Sequence, residues 1–75
     1  MKDLVEYIAR KLVEHPDQVE VTSTEAEGML NLTLKVADSD KGKVIGKGGK
    51  VIKAIRALVG VSCEKAGTKA ALEVA

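Results

Sequence analysis

The chain has 75 residues, a formal net charge of +1, one cysteine and one aromatic residue, Tyr7. This length predicts one small domain over residues 1–75 with a narrow margin of stability, because so short a chain buries only about 60% of its unfolded surface. A single cysteine excludes an intrachain disulfide, and a single aromatic residue excludes a platform that stacks bases on rings. No apolar run approaches the roughly 18 residues of a membrane span, so we expect a cytoplasmic protein with no membrane contact.

The sequence begins with a predicted helix over residues 3–14. Apolar residues recur there at helical spacing, and Pro16 disfavours helix at the residue before it. Asp3 and Glu6 stand three residues apart, as in a capping box at the start of a helix. His15, next to the proline, has no carboxylate or thiol at ligand spacing, so we expect an exposed helix end and not a metal or catalytic site.

Two strands are predicted next, over residues 18–24 and 30–36. Apolar and polar side chains alternate in both segments, which indicates strands with one buried face. The segment from Glu25 to Gly28 is a predicted turn. Because the connection is so short, the two strands should pair as an antiparallel hairpin.

The second half predicts two helices and a last strand. Asp38 and Asp40 are candidate caps, preferred over metal ligands, for a short helix that ends near Ile45. A longer helix is predicted over residues 49–66, with Gly67 as its left-handed cap. Within this helix we expect Gly60 to serve close packing and Cys63 to be a small buried thiol. A strand over residues 69–74 completes the order α-β-β-α-α-β, which predicts an α+β domain with three strands and three helices on one face.

The most distinctive segment is the loop Gly46-Lys47-Gly48-Gly49, which apolar pairs flank on both sides. Glycine has no Cβ and lets another backbone approach closely. The loop lies in a basic run, since residues 41–56 hold six Lys and Arg and no acid, whereas residues 1–40 hold nine acids. This asymmetry predicts a polyanionic partner, although a charge run by itself is more often a solvated helix face.

Two nucleotide-binding motifs do not fit the loop. A P-loop requires Ser or Thr after its Gly-Lys pair, and neither Lys47 nor Lys50 is followed by one. A dinucleotide-binding fingerprint requires G-x-G-x-x-G directly after a strand, whereas here the third glycine is missing and a helix precedes. We therefore expect a protein that is not an enzyme.

At this loop the chain resembles a KH domain, whose signature is an Ile-Gly-x-x-Gly loop between two helices. Two strands before the loop, and one helix and one strand after it, resemble the type II, or prokaryotic, KH order. Further segments resemble the stand-alone single-KH RNA-binding proteins of bacteria, the KhpA group. These segments are Leu4–Ala9, His15–Asp17, Gly42–Lys47 and Ala54–Arg56.

The resemblance implies a type II KH fold, with no cofactor, that clamps short single-stranded RNA segments through the loop. It implies a role as RNA chaperone or post-transcriptional regulator in a bacterium. It also implies pairing as a homodimer, or as a heterodimer with another KH-containing protein. Two alternatives stay open: a KH-fold protein-interaction module, and a binder of single-stranded DNA, because no residue identifies a contact to a 2′-OH group.

Physical reasoning about the loop and the resemblance together give the candidate RNA-binding residues. Free amides and the positive end of the second helix's dipole would face a phosphate. Bases would lie in an aliphatic groove between the helices and the second strand. Polar groups near Thr33, Leu34 and Lys35 would recognise the bases, partly through the backbone. Val51, Ile52 and Ile55 are more often core than groove. The candidates are Lys43, Val44, Ile45, Gly46, Lys47, Gly48, Gly49, Lys50, Ile52, Lys53 and Arg56.

Overall fold

The structure, a computed structural model, describes residues Met1–Ala75. The order α-β-β-α-α-β is confirmed, and the bounds of each element lie within two residues of the prediction. The helices are α1 (Lys2–Leu12), α2 (Lys41–Ile45) and α3 (Lys50–Lys65), and the strands are β1 (Glu20–Ala26), β2 (Met29–Lys35) and β3 (Lys69–Val74). Short 3₁₀ turns lie at Pro16–Gln18, Asp38–Asp40 and Lys47–Gly49.

The three strands form one mixed sheet with β2 in the centre. β1 pairs with β2 antiparallel, from Glu20 opposite Lys35 to Ala26 opposite Met29. The turn is therefore shorter than predicted, since Ala26 belongs to the strand and only Glu27 and Gly28 connect the pair. Both have positive φ, 53° and 76°, the arrangement of a type I′ hairpin turn.

The parallel partner of β2 is β3, which the chain reaches through α2 and α3. Parallel neighbours need such a crossover, and helices supply it by covering one face of the sheet. The helices pack against that face, in agreement with the α+β class and the type II KH order. The buried core residues are Val5, Ala9, Val19, Val21, Leu32, Leu34, Val36, Val44, Ile52, Ile55, Val59, Cys63 and Leu72.

The start of α1 differs from the prediction. Its N-cap is Met1, and no side chain caps the helix, so the capping box expected from Asp3 and Glu6 is absent. Asp3 lies in the first helical turn, where its charge complements the helix dipole. The amphipathic pattern, with Val5 and Ala9 fully buried, accounts for the helix without a cap.

The end of α3 follows the prediction. Gly67 has φ of 75° and donates its amide to the Glu64 carbonyl at 3.0 Å, while the Thr68 amide donates to Cys63 at 2.8 Å. This pair of bonds is the Schellman motif, in which a left-handed glycine satisfies carbonyls at the end of a helix. The short cap lets β3 begin two residues later, alongside α3.

The explanation offered for Gly60 is wrong. A Cβ built at Gly60 would meet no atom within 4 Å, so close packing does not require a glycine there. The prediction for Cys63 is confirmed, since this thiol is 4% exposed and lies in the core. No helix in the structure has the length and apolar character needed to cross a membrane.

Candidate nucleic-acid interface

The loop Gly46–Gly49 begins where α2 ends. The Gly46 amide donates to the Gly42 carbonyl at 2.9 Å, which completes the last turn of α2. Gly46 then takes φ 77° and ψ 168°, a conformation essentially restricted to glycine. A Cβ at Gly46 would lie 2.4 Å from Cγ2 and 2.8 Å from the backbone nitrogen of Val51. The first glycine of the loop is therefore fixed both by backbone angle and by contact with the first turn of α3.

The next two glycines differ from Gly46 in their surroundings. Gly48 and Gly49 have φ of 65° and 76°, the left-handed region. A Cβ at Gly48 would meet nothing within 4 Å, and one at Gly49 would make only ordinary contacts with Ile52 and Lys53. The outer side of the loop at Gly48 is thus open backbone, which another chain can approach closely.

Two amides expected to be free for a phosphate are already used. The Gly49 amide donates to the Gly46 carbonyl at 3.1 Å, and the Lys50 amide donates to the Lys47 carbonyl. Both bonds form the 3₁₀ turn that joins the loop to α3. The attraction of α3 for an anion therefore comes from its dipole and nearby lysines more than from these two amides.

The basic candidates fall into two groups. Lys47, Lys50 and Lys53 are exposed and make no ion pair in the structure. By contrast, Lys43 pairs with Glu14, and Arg56 donates its Nε hydrogen to the Leu72 carbonyl at 3.0 Å. Among the basic candidates, those with no protein partner therefore lie in the loop and in the first turn of α3.

The apolar candidates divide between core and surface. Val44 is 0% exposed and Ile52 is 6% exposed, and both belong to the hydrophobic core. Ile45 is 38% exposed and is the one apolar candidate of the three that reaches solvent. Val44 and Ile52 therefore belong to the core beneath the loop. The prediction that they form the floor of the groove is wrong.

The strand that borders a groove is not the one expected. β2 is the central strand, with neighbours on both sides, and Leu34 is fully buried, so backbone readout near Thr33–Lys35 is excluded. The free edge nearest α3 belongs to β3. The Lys69 amide donates to the Gly28 carbonyl just before β2, and the Ala75 amide donates to Leu34 in β2. Because successive residues of a strand point to opposite sides, the Leu72 carbonyl points to the free edge, where the Arg56 Nε hydrogen is donated to it. A cleft of about 330 Å³ lies there, lined by Arg56, Val59 and residues 70–73.

Asp40 is a residue whose role the sequence did not reveal. It is 1% exposed, and its two carboxylate oxygens accept the backbone amides of Glu14 at 3.1 Å and His15 at 3.0 Å. Its side chain makes no cap on α2, so the capping role predicted for it within its own helix is wrong. Asp40 instead ties the segment after α1 to the start of α2. No group of three or more His, Cys, Asp and Glu side chains could hold a metal ion.

Beside this contact lies the ion pair between Glu14 and Lys43. The Lys43 ammonium, which donates a hydrogen bond to the carboxylate and adds its positive charge, lowers the pKa of the Glu14 carboxyl from its ordinary value of 4.5. Both side chains are substantially exposed, at 71% for Glu14 and 42% for Lys43. Solvent therefore screens the pair, and it contributes little to folding stability.

Comparison with known proteins gives the same assignment over nearly the whole chain. The family model for the KH domain of KhpA/KhpB matches residues 2–74. The chain is 45% identical to the RNA-binding protein KhpA of Treponema pallidum, covering 97% of this chain and 91% of that one. It is 43% identical to the RNA-binding protein KhpA of Clostridium acetobutylicum, covering 99% of both, and 45% identical to that of Clostridium perfringens, again over 99% of both.

All three names describe a binding protein and none describes an enzyme. The family match, the sequence identities and the mixed three-stranded sheet with its glycine loop agree with one another. The chain belongs to the KhpA/KhpB family of KH domains.

Proposed function

We propose that this chain is a non-enzymatic RNA-binding module of the bacterial cytoplasm that holds a short single-stranded segment against the loop Gly46–Gly49. One observation carries the proposal: three lysines without protein partners, Lys47, Lys50 and Lys53, surround a loop whose backbone is open at Gly48. The names of the relatives support RNA as the polyanion.

The phosphate chain would pass over Gly48, where no side chain keeps it from the peptide backbone. Lys47 would contact a phosphate directly, with Lys50 and Lys53 beside it in the first turn of α3, where the helix dipole also favours negative charge. Such contacts fix the position of the strand but do not distinguish bases. Binding through them should therefore be modest in sequence preference and sensitive to salt.

Bases would extend from the loop toward the cleft between α3 and β3. The half-exposed Ile45 offers an apolar contact near the loop, and the free edge of β3 offers backbone groups that can hydrogen-bond a base edge. Arg56 at this cleft is the last cation of the basic run. The assignment moves base readout from β2, whose edges are both occupied, to β3. A short readout surface of this kind suits an RNA chaperone or post-transcriptional regulator.

The loop is tested by the double substitution Lys47→Asp with Gly48→Asp. Asp tolerates the left-handed conformation at Gly48, and space there is open, so the fold should persist by circular dichroism. Fluorescence anisotropy with a single-stranded RNA oligomer should show at least a tenfold loss of affinity, about 1.4 kcal/mol. In the unmodified protein, log K should fall with log salt with a slope of about −2, the sum of three contacts at about −0.7 each.

A matched control combines Gly28, in the hairpin turn, with Lys69, the first residue of β3. Lys69→Asp with Gly28→Asp makes the same two changes, again at an exposed lysine and at a left-handed glycine with open space. This variant should bind RNA within about twofold of the unmodified protein, because neither Gly28 nor Lys69 belongs to the loop or lines the cleft between α3 and β3. Equal losses in both variants, or none in the loop variant, would contradict the proposal. A matched DNA oligomer as competitor decides between RNA and single-stranded DNA.

A second candidate function is assembly through α3, favoured by a specific observation. Leu58 and Val61 are each 55% exposed and lie one turn apart on α3. Exposed apolar side chains that lie together form a patch, and contiguous apolar patches mark protein–protein interfaces. We propose that this face pairs with a second copy of the chain, or with another KH-containing protein.

Sedimentation of the purified chain tests this pairing. Leu58→Glu with Val61→Glu should shift a dimer to monomer, whereas Tyr7→Glu, at a 63% exposed aromatic on α1, should not. A chain that is monomeric at all concentrations excludes the homodimer and leaves only the heterodimer, to be measured by mixing with the second protein. A chain that dimerises yet binds no RNA at low salt would favour assembly over RNA binding.

A further inference from the structure

Two acidic residues contact the basic run: Asp38 pairs with Lys41 at its start, and Glu14 pairs with Lys43, which is closer to the glycine loop. The Glu14 carboxylate accepts a hydrogen bond from the Lys43 ammonium across 29 positions of sequence. Lys43 precedes Gly46 by one helical turn, so its side chain starts within about 5–6 Å of the loop. The one cation in the last turn of α2 is thus occupied before any ligand arrives.

The position of Glu14 is fixed by its backbone. Asp40, buried at the start of α2, accepts the amides of Glu14 and His15 at 3.1 and 3.0 Å. These bonds hold the segment after α1 against α2, the helix that carries Lys43. Glu14 therefore reaches Lys43 from a fixed backbone and does not depend on a chance meeting of two flexible segments.

An exposed carboxylate and an RNA phosphate offer a lysine the same kind of partner. Exchanging one for the other leaves Lys43 with one ion pair before and after binding, so the exchange yields little free energy. Lys47, Lys50 and Lys53 have no such partner and gain a new contact with each phosphate. The Lys43 ammonium lowers the pKa of the Glu14 carboxyl, so this group is an ionised partner for Lys43 at neutral pH.

We infer that Glu14 keeps Lys43 out of the set of phosphate-binding lysines and so limits the affinity of the loop for RNA. The inference rests on the proposed function of the loop. It makes Glu14 an affinity-setting residue that contacts no RNA itself.

The test measures RNA affinity and its salt dependence for Glu14→Gln. Removing the carboxylate frees Lys43, and affinity at 0.15 M salt should rise between about two- and fivefold, the range of one exposed ion pair. The log–log salt slope should steepen by about 0.7, the value of one added phosphate contact. Asp17→Asn is the matched control, because it removes the same charge from an exposed acid that pairs with no cation, and its affinity should stay within about 1.5-fold.

Lys43 completes a double-mutant cycle. Lys43→Gln alone should change affinity by less than about 1.5-fold, whereas Lys47→Gln should weaken it severalfold. In the Glu14→Gln background, Lys43→Gln should cancel the whole gain. The inference is overturned if Glu14→Gln and Asp17→Asn act alike, or if Lys43→Gln weakens the unmodified protein as much as Lys47→Gln does.

These outcomes distinguish the role of Glu14 from the proposed function of the loop. If the loop variant Lys47→Asp with Gly48→Asp loses RNA while Glu14→Gln changes nothing, only the role of Glu14 is wrong. If the loop variant still binds RNA normally, the proposed function fails, and the role of Glu14 fails with it.

Discussion

Among the residues of the loop, Gly46 has the least freedom. The sequence identified the loop through its composition and flanking apolar pairs, but it did not distinguish the three glycines from one another. The distinction depends on Val51, whose side chain and amide occupy the space where a Cβ of Gly46 would lie. Such a contact arises from the angle between α2 and α3, which local sequence does not encode.

Gly46→Ala should therefore distort the loop, whereas Gly48→Asn should not. The backbone angles alone cost an alanine at position 46 about 1–3 kcal/mol, and the contact with Val51 adds to this. Asn tolerates the left-handed conformation at Gly48, where space is open. Thermal melting should show a large loss of stability for Gly46→Ala only, whereas RNA binding should weaken in both variants, because the Asn side chain at position 48 would keep a phosphate from the backbone. Equal melting temperatures would show that the loop adapts.

The ion pair of Glu14 gives a prediction about pH. Because the folded pKa of the carboxyl lies below its ordinary value of 4.5, the contact stabilises the fold above about pH 4.5 and is lost as pH falls through the folded pKa. Titration of the Glu14 carboxyl by NMR should show the lowered pKa, and Lys43→Gln should return it toward the ordinary value. Lys41→Gln, which removes the partner of Asp38 instead, should leave the pKa of Glu14 low.

At the scale of single elements, the sequence predicts all six helices and strands, because hydrophobic periodicity is local. Of the predicted helix caps, only Gly67 is confirmed. Helical spacing predicts one apolar face of α3, made of Val51, Ile52, Ile55, Leu58 and Val59. The structure places Ile52, Ile55 and Val59 in the core, but the prediction is wrong for Leu58, which is 55% exposed. Gly67 ends this helix as its cap, but Gly60, in the same helix, has no contact that requires it. Nothing in the structure explains why a glycine stands at position 60.

Two alanine substitutions, one in α3 and one just after it, should change the free energy of unfolding in opposite directions. Neither Gly60 nor Gly67 has an atom within 4 Å of a built Cβ, but only Gly67 has a positive φ. Gly60→Ala should raise the free energy of unfolding by about 0.5–1 kcal/mol, since alanine restricts the unfolded chain and favours helix. Gly67→Ala should lower it by about 1 kcal/mol. Urea unfolding measures both, and a destabilising Gly60→Ala would reveal a contact outside this chain.

At the scale of the whole molecule, the neighbours of each strand and the long-range role of Asp40 could not be predicted. Alternation indicates that a segment is a strand but not which strand lies in the centre, so base readout was assigned to β2 and not to the free edge of β3. The residue type of Asp40 predicts a cap on its own helix, which is wrong. Its partners lie 25 and 26 positions away, and only the packing of α1 beside α2 brings them together.

Asp40→Ala should be among the most destabilising single changes to a polar residue. It removes the acceptor of two backbone amides in a partly buried site, and such hydrogen bonds to a charged group contribute about 1.5–3 kcal/mol each. We expect a loss of about 2–4 kcal/mol in the free energy of unfolding by urea. Asp38→Asn, at an almost fully exposed carboxylate, should change it by less than about 0.5 kcal/mol. Similar values for the two variants would show that the amides of Glu14 and His15 find water instead.

The parallel pairing of β2 with β3 has a consequence for how the chain folds. β1 and β2 meet through a two-residue turn, and such hairpins form in about 1–10 μs. Met29 pairs with Lys69 only when the two ends of a segment of roughly 40 residues come together. This segment includes both helices that flank the glycine loop. The hairpin should thus be structured early in the folding transition and β3 late. Substitutions in β3 should then mainly increase the unfolding rate. Because β3 forms late in folding, the free edge beside α3 should be the part of the sheet that opens first in unfolding.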